Sequence, residues 1–481
     1  METFGRSFIN RISCLLIFLC SACVIYVYFV IDHDLFGSGR RATYHLKESL
    51  IYKPTPPEAR DVGTSRESLI YKPTPPEARD VGTSRESLIH KLTSPEARDV
   101  GTSRSKYVNT TNLSSVAVIE AECFPQKRIL FLKTHKTGSS TMANIFFRYG
   151  DARNLTFALG DDTILGWPEK FHIFHPLRMF GKAPDILCSH ARFNKEPMNW
   201  LFPRKTSKYV TILRNPVDNY ESAFNFAQLG KSFGLGVTLD SLEKFLDKPI
   251  QSYSHSRKDI MMYLARNPMM FDLGLRFEYF QNLTAVKEYI QFLDNEFDLV
   301  MIMDYFDESL LLMKRLLCWK IEDILYVKLN ERQDKEKATL LSARVKENIR
   351  RWNKADVLLF DYFNATFWRR VKKEGPSFYE ELSTFRRRKQ EIRQLCLIDG
   401  TRIQRAYHNK FVKGYSVRND LDENSKRLCE NFVRTENDFL AYLRRKRMVK
   451  LRESGIDKLD KIENEIGWQV AKDLQYDPVR T

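Results

Sequence analysis

The segment LKTHKTGSSTMANIF, residues 132–146, constrains the fold more than any other stretch of the chain. The apolar run Ile129–Leu132 has the composition of a buried strand, and the spacing of apolar residues from Ser140 onward is typical of a helix. Lysine, histidine, glycine and hydroxyl residues form the short loop between them. Because a helix N-terminus presents unpaired backbone N–H groups and a positive dipole, this segment predicts an anion-binding site.

Strand-like and helix-like stretches alternate through the middle of the chain. Short apolar runs lie at 128–134, 186–189, 208–213 and 299–303. Helical patterns lie between and after them, including 140–149, 216–229 and 308–319. This alternation predicts an α/β fold, a P-loop-like domain with a central, mainly parallel sheet flanked by helices.

Residues 12–31 form a run of twenty positions without a charged side chain. About 20 apolar residues cross a bilayer core. Two arginines precede the run and two aspartates follow it, so the positive-inside rule predicts a cytoplasmic tail at 1–11 and a lumenal remainder. The chain is thus expected to be a single-pass type II membrane protein. A cleaved signal peptide is the alternative, but the run is longer than the usual apolar region of such peptides.

Residues 32–122 are predicted to be a lumenal stalk. Positions 48–104 hold three tandem copies of a nineteen-residue unit, of which the first two both read ESLIYKPTPPEARDVGTSR. A period near this length suggests a solenoid. Each copy offers only a short apolar cluster, however, and its proline-rich centre favours extended backbone, so the repeats are interpreted as a linker.

From Cys123 the composition becomes globular, and residues 123–400 are taken as the α/β domain. The chain after about residue 334 is predicted to be mostly helical, and it ends in a basic extension at 401–481. Lys+Arg number 77 against 61 Asp+Glu, giving a formal net charge of +16 and indicating an anionic partner. A lumenal domain meets little DNA or RNA, so nucleic acid is excluded as that partner.

Cysteines and glycosylation signals agree with a lumenal domain. An oxidising compartment predicts one or two disulfides and one unpaired thiol among the cysteines beyond the span, with the pairing left open. Those cysteines are Cys123, Cys188, Cys318, Cys396 and Cys429. The Asn-X-Ser/Thr sequons are at Asn109, Asn112, Asn154, Asn282 and Asn364.

A second polar motif supports the anion site. The segment YVTILRNPVDNYESAF places Arg214 at the end of a predicted strand and Ser222 eight residues later, with Pro216 where a first helical turn tolerates proline. The Walker A pattern is absent, because Lys136 precedes Gly138 instead of following it. An ATP-hydrolysing site or a nucleotide kinase is therefore disfavoured.

The lysine-first loop and the later arginine–serine pair together resemble the donor site of sulfotransferases. The blocks FLKTHKTGSSTMANIFFRYG, CSHARFN, TILRNPVDNYESAF, RNPMMFDLGL, FDLVMIMDYFDESLLLMKRLLCW and DYFNATFW are similar to the galactose-3-O-sulfotransferase family of Golgi enzymes. The resemblance covers roughly residues 123–400 and leaves out the repeats and the C-terminal extension.

This resemblance implies transfer of a sulfuryl group from 3′-phosphoadenosine-5′-phosphosulfate (PAPS) to the 3-hydroxyl of terminal galactose. The acceptor would be a glycolipid or a glycoprotein, the enzyme would be anchored in the Golgi membrane, and no metal ion is required. The alternatives are sulfation of a glycosaminoglycan hydroxyl and a sulfotransferase-like protein that binds glycans without turnover. The oligomeric state stays open, a homodimer included.

The resemblance also implies roles for the loop and for the second motif. Lys136 would contact the 5′-phosphate and the bridging oxygen, and Arg214 and Ser222 would contact the 3′-phosphate. The other residues expected at the donor are Lys133, Thr134, Thr137, Gly138, Ser139, Ser140 and Thr141. Of these residues, Lys133 is the one whose side chain could point away from the donor, because side chains alternate between the two faces of a strand.

Two histidines at predicted strand ends compete for the role of general base, His135 and His190. Neutral imidazole suits this role near neutral pH because its unperturbed pKa is about 6.5. His135 is favoured for its place beside Lys136, and Glu221 is the acidic alternative. Candidate contacts to the acceptor sugar are Arg192, Asn194, Trp167, Phe193 and Trp200.

Overall fold

A computed structural model of the chain describes its globular part. The described residues all belong to one unit within residues 81–481, and the predicted tail, span and stalk at 1–11, 12–31 and 32–122 lie outside them. Within the described part, no helix has both the length and the apolarity to cross a membrane. The described ranges are 123–177, 183–236, 238, 240–249, 260–332, 341–405 and 411–454.

Four short parallel strands form the central sheet, in the order β2–β1–β3–β4. Every strand residue is buried except Lys208, which is half-buried. Continuous burial explains why these strands read as unbroken apolar runs in the sequence. The strands are β1 Ile129–Leu132, β2 Ile186–Leu187, β3 Lys208–Leu213 and β4 Leu299–Ile302. The predicted α/β class with a parallel sheet is confirmed.

Helices surround this sheet and continue beyond it. They are α1 Ser139–Ala152, α2 Lys195–Leu201, α3 Pro216–Phe226, α4 Leu229–Ser232, α5 Ser241–Asp247, α6 Pro268–Asp272, α7 Leu283–Glu296, α8 Phe306–Leu317, α9 Ile321–Ile324, α10 Ala343–Trp352, α11 Lys354–Lys373, α12 Ser377–Cys396, α13 Glu423–Val433 and α14 Glu436–Glu453. The helix predicted at 216–229 is two helices, because Gln228 adopts a left-handed conformation with φ of 51° between them.

The C-terminal part contains strands as well as the expected helices. β5 (Glu331–Arg332), β6 (Arg402–Arg405) and β7 (Phe411–Gly414) form a small antiparallel sheet in the order β5–β7–β6. The sequence reading of this region as helical missed them, because the strands are short and polar. The last helices pack on α1, where the Phe147 and Phe439 rings stack with centroids 5.2 Å apart.

Two disulfides stabilise the described part of the chain. Cys123 pairs with Cys318 and Cys396 with Cys429, with Cα atoms 5.6 and 5.1 Å apart. Cys188 is buried and unpaired. The predicted count of disulfides and the leftover thiol are confirmed, and the structure supplies the pairing that spacing left open.

Candidate functional site

The loop between β1 and α1 turns through two left-handed residues. Lys136 has φ of 62°, and Gly138, the residue that precedes α1, has φ of 74°. Glycine suits the second position because it adopts positive φ without steric cost. The hydroxyls of Thr137 and Ser139 donate to the Thr134 carbonyl at 3.1 and 2.7 Å, which fixes the turn. The N-terminus of α1 lies above this turn, and the Thr141 and Met142 N–H groups donate to the Gly138 carbonyl at 3.1 and 3.5 Å. The N–H groups before them precede the first intrahelical hydrogen bonds.

A cavity of about 780 Å³ lies at the carboxyl ends of the strands. It brings together both motifs found in the sequence and both candidate bases. The predicted site residues on its wall are His135, Lys136, Gly138, Ser139, Ser140, Thr141, His190, Arg214 and Ser222. In parallel sheets this edge is where ligands bind.

Arg214 and Lys136 are neighbours in this cavity. Arg214 directly follows β3, and its Nη1 donates to the Lys136 carbonyl at 3.2 Å. The Lys136 amine lies 4.2 Å from the centroid of the Phe226 ring, a cation–π contact. Burial lowers the pKa of Arg214, partly offset by Asp218 and Asp304. Two cations thus lie on one wall.

Ser222 lies in the second turn of α3, the helix predicted to begin at Pro216. The helix begins at Pro216, and the Asn215 side chain accepts from the Val217 N–H at 3.0 Å as its N-cap. Ser222 is buried and still reaches the cavity wall. Ser222 is therefore a cavity-lining residue within the helix and not its N-cap.

Three loop residues that were expected at the donor have buried side chains: Lys133, Thr134 and Thr137. Lys133 is 1% exposed and forms an ion pair with Glu436 at the start of α14. The Thr134 hydroxyl donates to the Ile212 carbonyl at 2.5 Å and lies 2.9 Å from the Thr137 hydroxyl. These side chains are satisfied inside the protein, so the structure gives them a role in holding the loop.

His135 is held by a buried carboxylate that the sequence reading did not select. Asp272, 0% exposed, accepts from the His135 backbone N–H at 2.7 Å, and its Oδ2 lies 2.9 Å from His135 Nδ1. The other carboxylate oxygen accepts from Trp167 Nε1 at 2.9 Å. The sequence does contain a signal for this residue, because it is the one charged residue in the apolar run MMFDLGL. Burying a charge costs free energy, so an aspartate in such a run indicates a specific role.

His190 stacks on His135, with ring centroids 4.0 Å apart and planes 15° apart. Its Nδ1 lies 3.2 Å from the Lys133 carbonyl oxygen. Burial lowers the pKa of His190 well below its usual value, and the charges of Lys133 and His135 add to this effect. Its surroundings therefore favour the neutral form of the His190 ring.

Glu221 lies on the cavity wall but is already bound. Arg332 grips its carboxylate with two hydrogen bonds of 2.8 and 2.6 Å, and Asn225 donates to it at 2.6 Å. A carboxylate in a bidentate pair with arginine is stabilised in its charged form and is a poor proton acceptor. This arrangement disfavours Glu221 as the base.

Most of the proposed sugar contacts have other roles. Arg192 donates to the carbonyls of Phe271 and Leu275 at 3.0 Å each. Asn194 donates to the Phe171 carbonyl at 2.9 Å. Phe193 is part of the core, and Trp200 is 69% exposed on α2. Trp167 does line the cavity, with its ring 4.7 Å from that of His135.

Sequence reasoning also missed residues that reach the cavity from distant parts of the chain. Lys328, Arg332 and Lys346 add positive charge to its wall, and Glu436 and Asn437 reach it from α14. No local pattern marks them, because only the tertiary fold brings them there. In the described ranges, no group of three or more His, Cys, Asp and Glu side chains is arranged to hold a metal ion.

Comparisons with known proteins agree with these motifs. A sequence model of the galactose-3-O-sulfotransferase family matches residues 97–447. Galactosylceramide sulfotransferase of Homo sapiens is 33% identical over 359 residues, which cover 69% of this chain and 82% of that protein. Galactose-3-O-sulfotransferase 2 of Sus scrofa is 34% identical over 347 residues, 67% and 85% of the two chains. Galactose-3-O-sulfotransferase 3 of Homo sapiens is 37% identical over 279 residues, 56% and 63% of the two. The chain therefore belongs to the galactose-3-O-sulfotransferase family and is a sulfotransferase.

Proposed function

We propose that the protein transfers a sulfuryl group from PAPS to the 3-hydroxyl of a terminal galactose, with His135 as general base. The observation that carries this proposal is the shared cavity. It joins the N-terminus of α1, the cations Lys136 and Arg214, and an imidazole held by a carboxylate. Its volume of about 780 Å³ lies in the range of about 300–1,000 Å³ typical of small-molecule sites.

The donor fits the anion-binding side of the cavity. Lys136 and the N–H groups at the start of α1 would bind the 5′-phosphosulfate end. Arg214 and Ser222 would bind the 3′-phosphate. The 3.2 Å hydrogen bond from Arg214 to the Lys136 carbonyl supports this assignment, because it keeps the two cations in fixed relation. Lys133, Thr134 and Thr137 would support the loop without touching the donor.

The chemistry needs a proton acceptor and stabilisation of a leaving phosphate. Bound PAPS supplies a sulfur atom whose bond to the 5′-phosphate oxygen breaks, with its electron pair leaving on that oxygen, while the bond to the galactose oxygen forms. His135 would accept the proton of the 3-hydroxyl on Nε2. Lys136 and the loop N–H groups would stabilise the negative charge that develops on the leaving oxygen. The proposed step uses no metal ion.

One assay tests both the donor and the acceptor. The full-length protein is incubated with sulfur-35-labelled PAPS and a panel containing galactosylceramide, lactosylceramide, a galactose-terminated glycopeptide and a desulfated glycosaminoglycan. We expect label on one or more galactosides, with linkage analysis placing the sulfate on O3. Label on the glycosaminoglycan alone would replace the proposed acceptor, and donor binding without turnover would favour the non-catalytic alternative.

We further propose that the enzyme is a single-pass type II protein of the Golgi membrane with its catalytic domain in the lumen. The uncharged run at 12–31 and the two disulfides of the domain support this location. Protease protection of the domain in sealed microsomes tests the topology. Microscopy against a Golgi marker tests the compartment.

A further inference from the structure

The side chain of Asp272 is fully buried, which is uncommon for a carboxylate. Asp272 is the last residue of α6, and in the described part of the chain no lysine or arginine forms an ion pair with it. Removing a carboxylate from water without a cationic partner costs free energy. A buried carboxylate of this kind therefore indicates a structural or functional role. Its three hydrogen-bond donors come from His135 and Trp167.

These contacts fix which nitrogen of His135 carries the proton. An ionised carboxylate only accepts hydrogen bonds, so Nδ1 must be the protonated nitrogen when it lies 2.9 Å from Asp272 Oδ2. Nε2 then carries the lone pair. Because the His135 side chain lines the cavity, Nε2 is the nitrogen available to an incoming hydroxyl.

The neighbouring ring has a different partner. His190 Nδ1 faces a neutral backbone carbonyl, that of Lys133, at 3.2 Å. Only the charged carboxylate beside His135 can compensate an imidazolium ring as it forms, which is how an aspartate serves a histidine base in hydrolase triads. The stacked rings are 4.0 Å apart, so a positive charge on one ring disfavours a positive charge on the other.

The carboxylate itself is rigidly placed. Asp356 accepts from the N–H groups of Met269 and Met270 at 3.1 and 2.8 Å and so caps the N-terminal end of α6. The Asp272 carbonyl accepts from the Phe193 N–H at 2.8 Å, which ties the C-terminal end of α6 to the segment after β2. Moving Asp272 away from His135 would therefore break the hydrogen bonds that hold the two ends of α6.

We propose that Asp272 is the positioning residue of this enzyme: it holds His135 in the Nδ1–H tautomer, stabilises the imidazolium that forms during transfer, and thereby selects His135 over His190 as the base. This proposal rests on the proposed function. It adds a residue that acts through His135 and touches neither donor nor acceptor.

The kinetic test compares Asp272→Asn with Asp361→Asn, the same change at an exposed position of α11. We expect D272N to lower kcat about 100-fold or more, the range of general base catalysis, with KM for PAPS unchanged. D361N should leave kcat per folded molecule within about 3-fold. In a His135→Ala background, D272N should add almost nothing, because the two residues act as one unit. Full additivity, or equal losses in both asparagine variants, would overturn the proposal.

A second measurement does not depend on turnover and is read on the unmodified protein. In the full-length protein labelled with nitrogen-15 histidine, the His135 resonances, assigned by their loss in His135→Gln, should show a protonated Nδ1 and an unprotonated Nε2. An Nε2–H tautomer overturns the role of Asp272 even if galactose is sulfated. Conversely, the predicted tautomer without any sulfation leaves the positioning intact and removes the proposed function.

Discussion

Lys133 and Glu436, which are 303 residues apart in the chain, form an ion pair beside the loop that joins β1 to α1, with the lysine side chain 1% exposed and the carboxylate 14% exposed. The same carboxylate accepts from the Ser140 hydroxyl at 3.3 Å. The last described helix therefore supports the anion-binding loop directly. We expect the segment after residue 400 to be required for a stable site.

Glu436→Gln should destabilise the fold strongly. Removing one partner of a buried pair leaves an uncompensated charge, which costs about 3–5 kcal/mol. Glu347→Gln is the matched control, because Glu347 pairs with Arg350 at 3.8 Å on the surface, where such pairs contribute about 0–1 kcal/mol. Urea denaturation measures both. Equal effects of the two changes would show that the buried pair contributes no more than a surface pair.

Lys136→Met and Lys133→Met separate the two lysines of the loop. We expect K136M to lower kcat about 10²–10³-fold, the cost of losing one group that stabilises developing charge, while the fold is retained. K133M should instead lower the free energy of unfolding, because it strands Glu436. Measuring kcat and a denaturation curve for each variant gives the turnover per folded molecule, which distinguishes the two roles. The opposite pattern would make Lys133 the donor contact.

The sequence predicted most of the fold that positions the site. β3 spans the same residues as predicted, and the other strands differ only at their ends, because their apolar runs are continuous and buried on both faces. The helix predicted at 308–319 lies at Phe306–Leu317, since Cys318 adopts a left-handed conformation that ends it. Short polar strands such as β6 and β7 carry no comparable signal.

The residues of the candidate site also fall into two groups, those that a local sequence motif marks and those that it does not. Lys136, Gly138 and Arg214 could be found because a local motif encodes them. Asp272 and Glu436 could not be assigned, because each acquires its partner only through packing between segments far apart in sequence. Strand alternation allowed Lys133 to turn away from the donor, but the sequence could not reveal that its partner would be Glu436.

Arg214→Ala should weaken donor binding more than turnover. A hydrogen bond to a charged group contributes about 1.5–3 kcal/mol, so we expect the dissociation constant of 3′-phosphoadenosine-5′-phosphate to rise about 10- to 100-fold. Arg350→Ala, on the exposed face of α10, controls for the loss of net charge. Isothermal titration calorimetry measures both. Unchanged affinity in R214A would remove Arg214 from the 3′-phosphate.

Glycan occupancy distinguishes exposed sequons from a packed one. Asn154 is exposed just after α1, whereas the Asn364 side-chain oxygen is buried within α11. In a lumenal domain we expect a glycan at Asn154 and none at Asn364. Asn154→Asp, which tolerates the local φ of 53°, should then remove one glycosidase-sensitive mobility step on a gel. A matching step lost in Asn364→Asp would contradict the packing of α11.

Asp356 should make stability fall as the pH rises toward neutral. Burial raises the pKa of this carboxyl from 3.8 to about 7, with the N–H groups of Met270 and Met269 opposing the rise. Between these two values the folded protein binds more protons at this site than the unfolded chain, so its free energy of unfolding decreases with increasing pH across that window.

The predicted loss is largest once the pH exceeds the folded-state pKa, and the pKa difference sets an upper bound of about 4 kcal/mol. Asp356→Asn does not titrate, so its free energy of unfolding should fall less steeply between pH 5 and 8 than that of the wild type. His190 acts in the opposite direction, because its lowered pKa favours folding as the pH rises through its unfolded value. Its contribution is common to both proteins and cancels in their difference. Parallel stability curves from urea denaturation at each pH would show that Asp356 is charged in the folded state throughout.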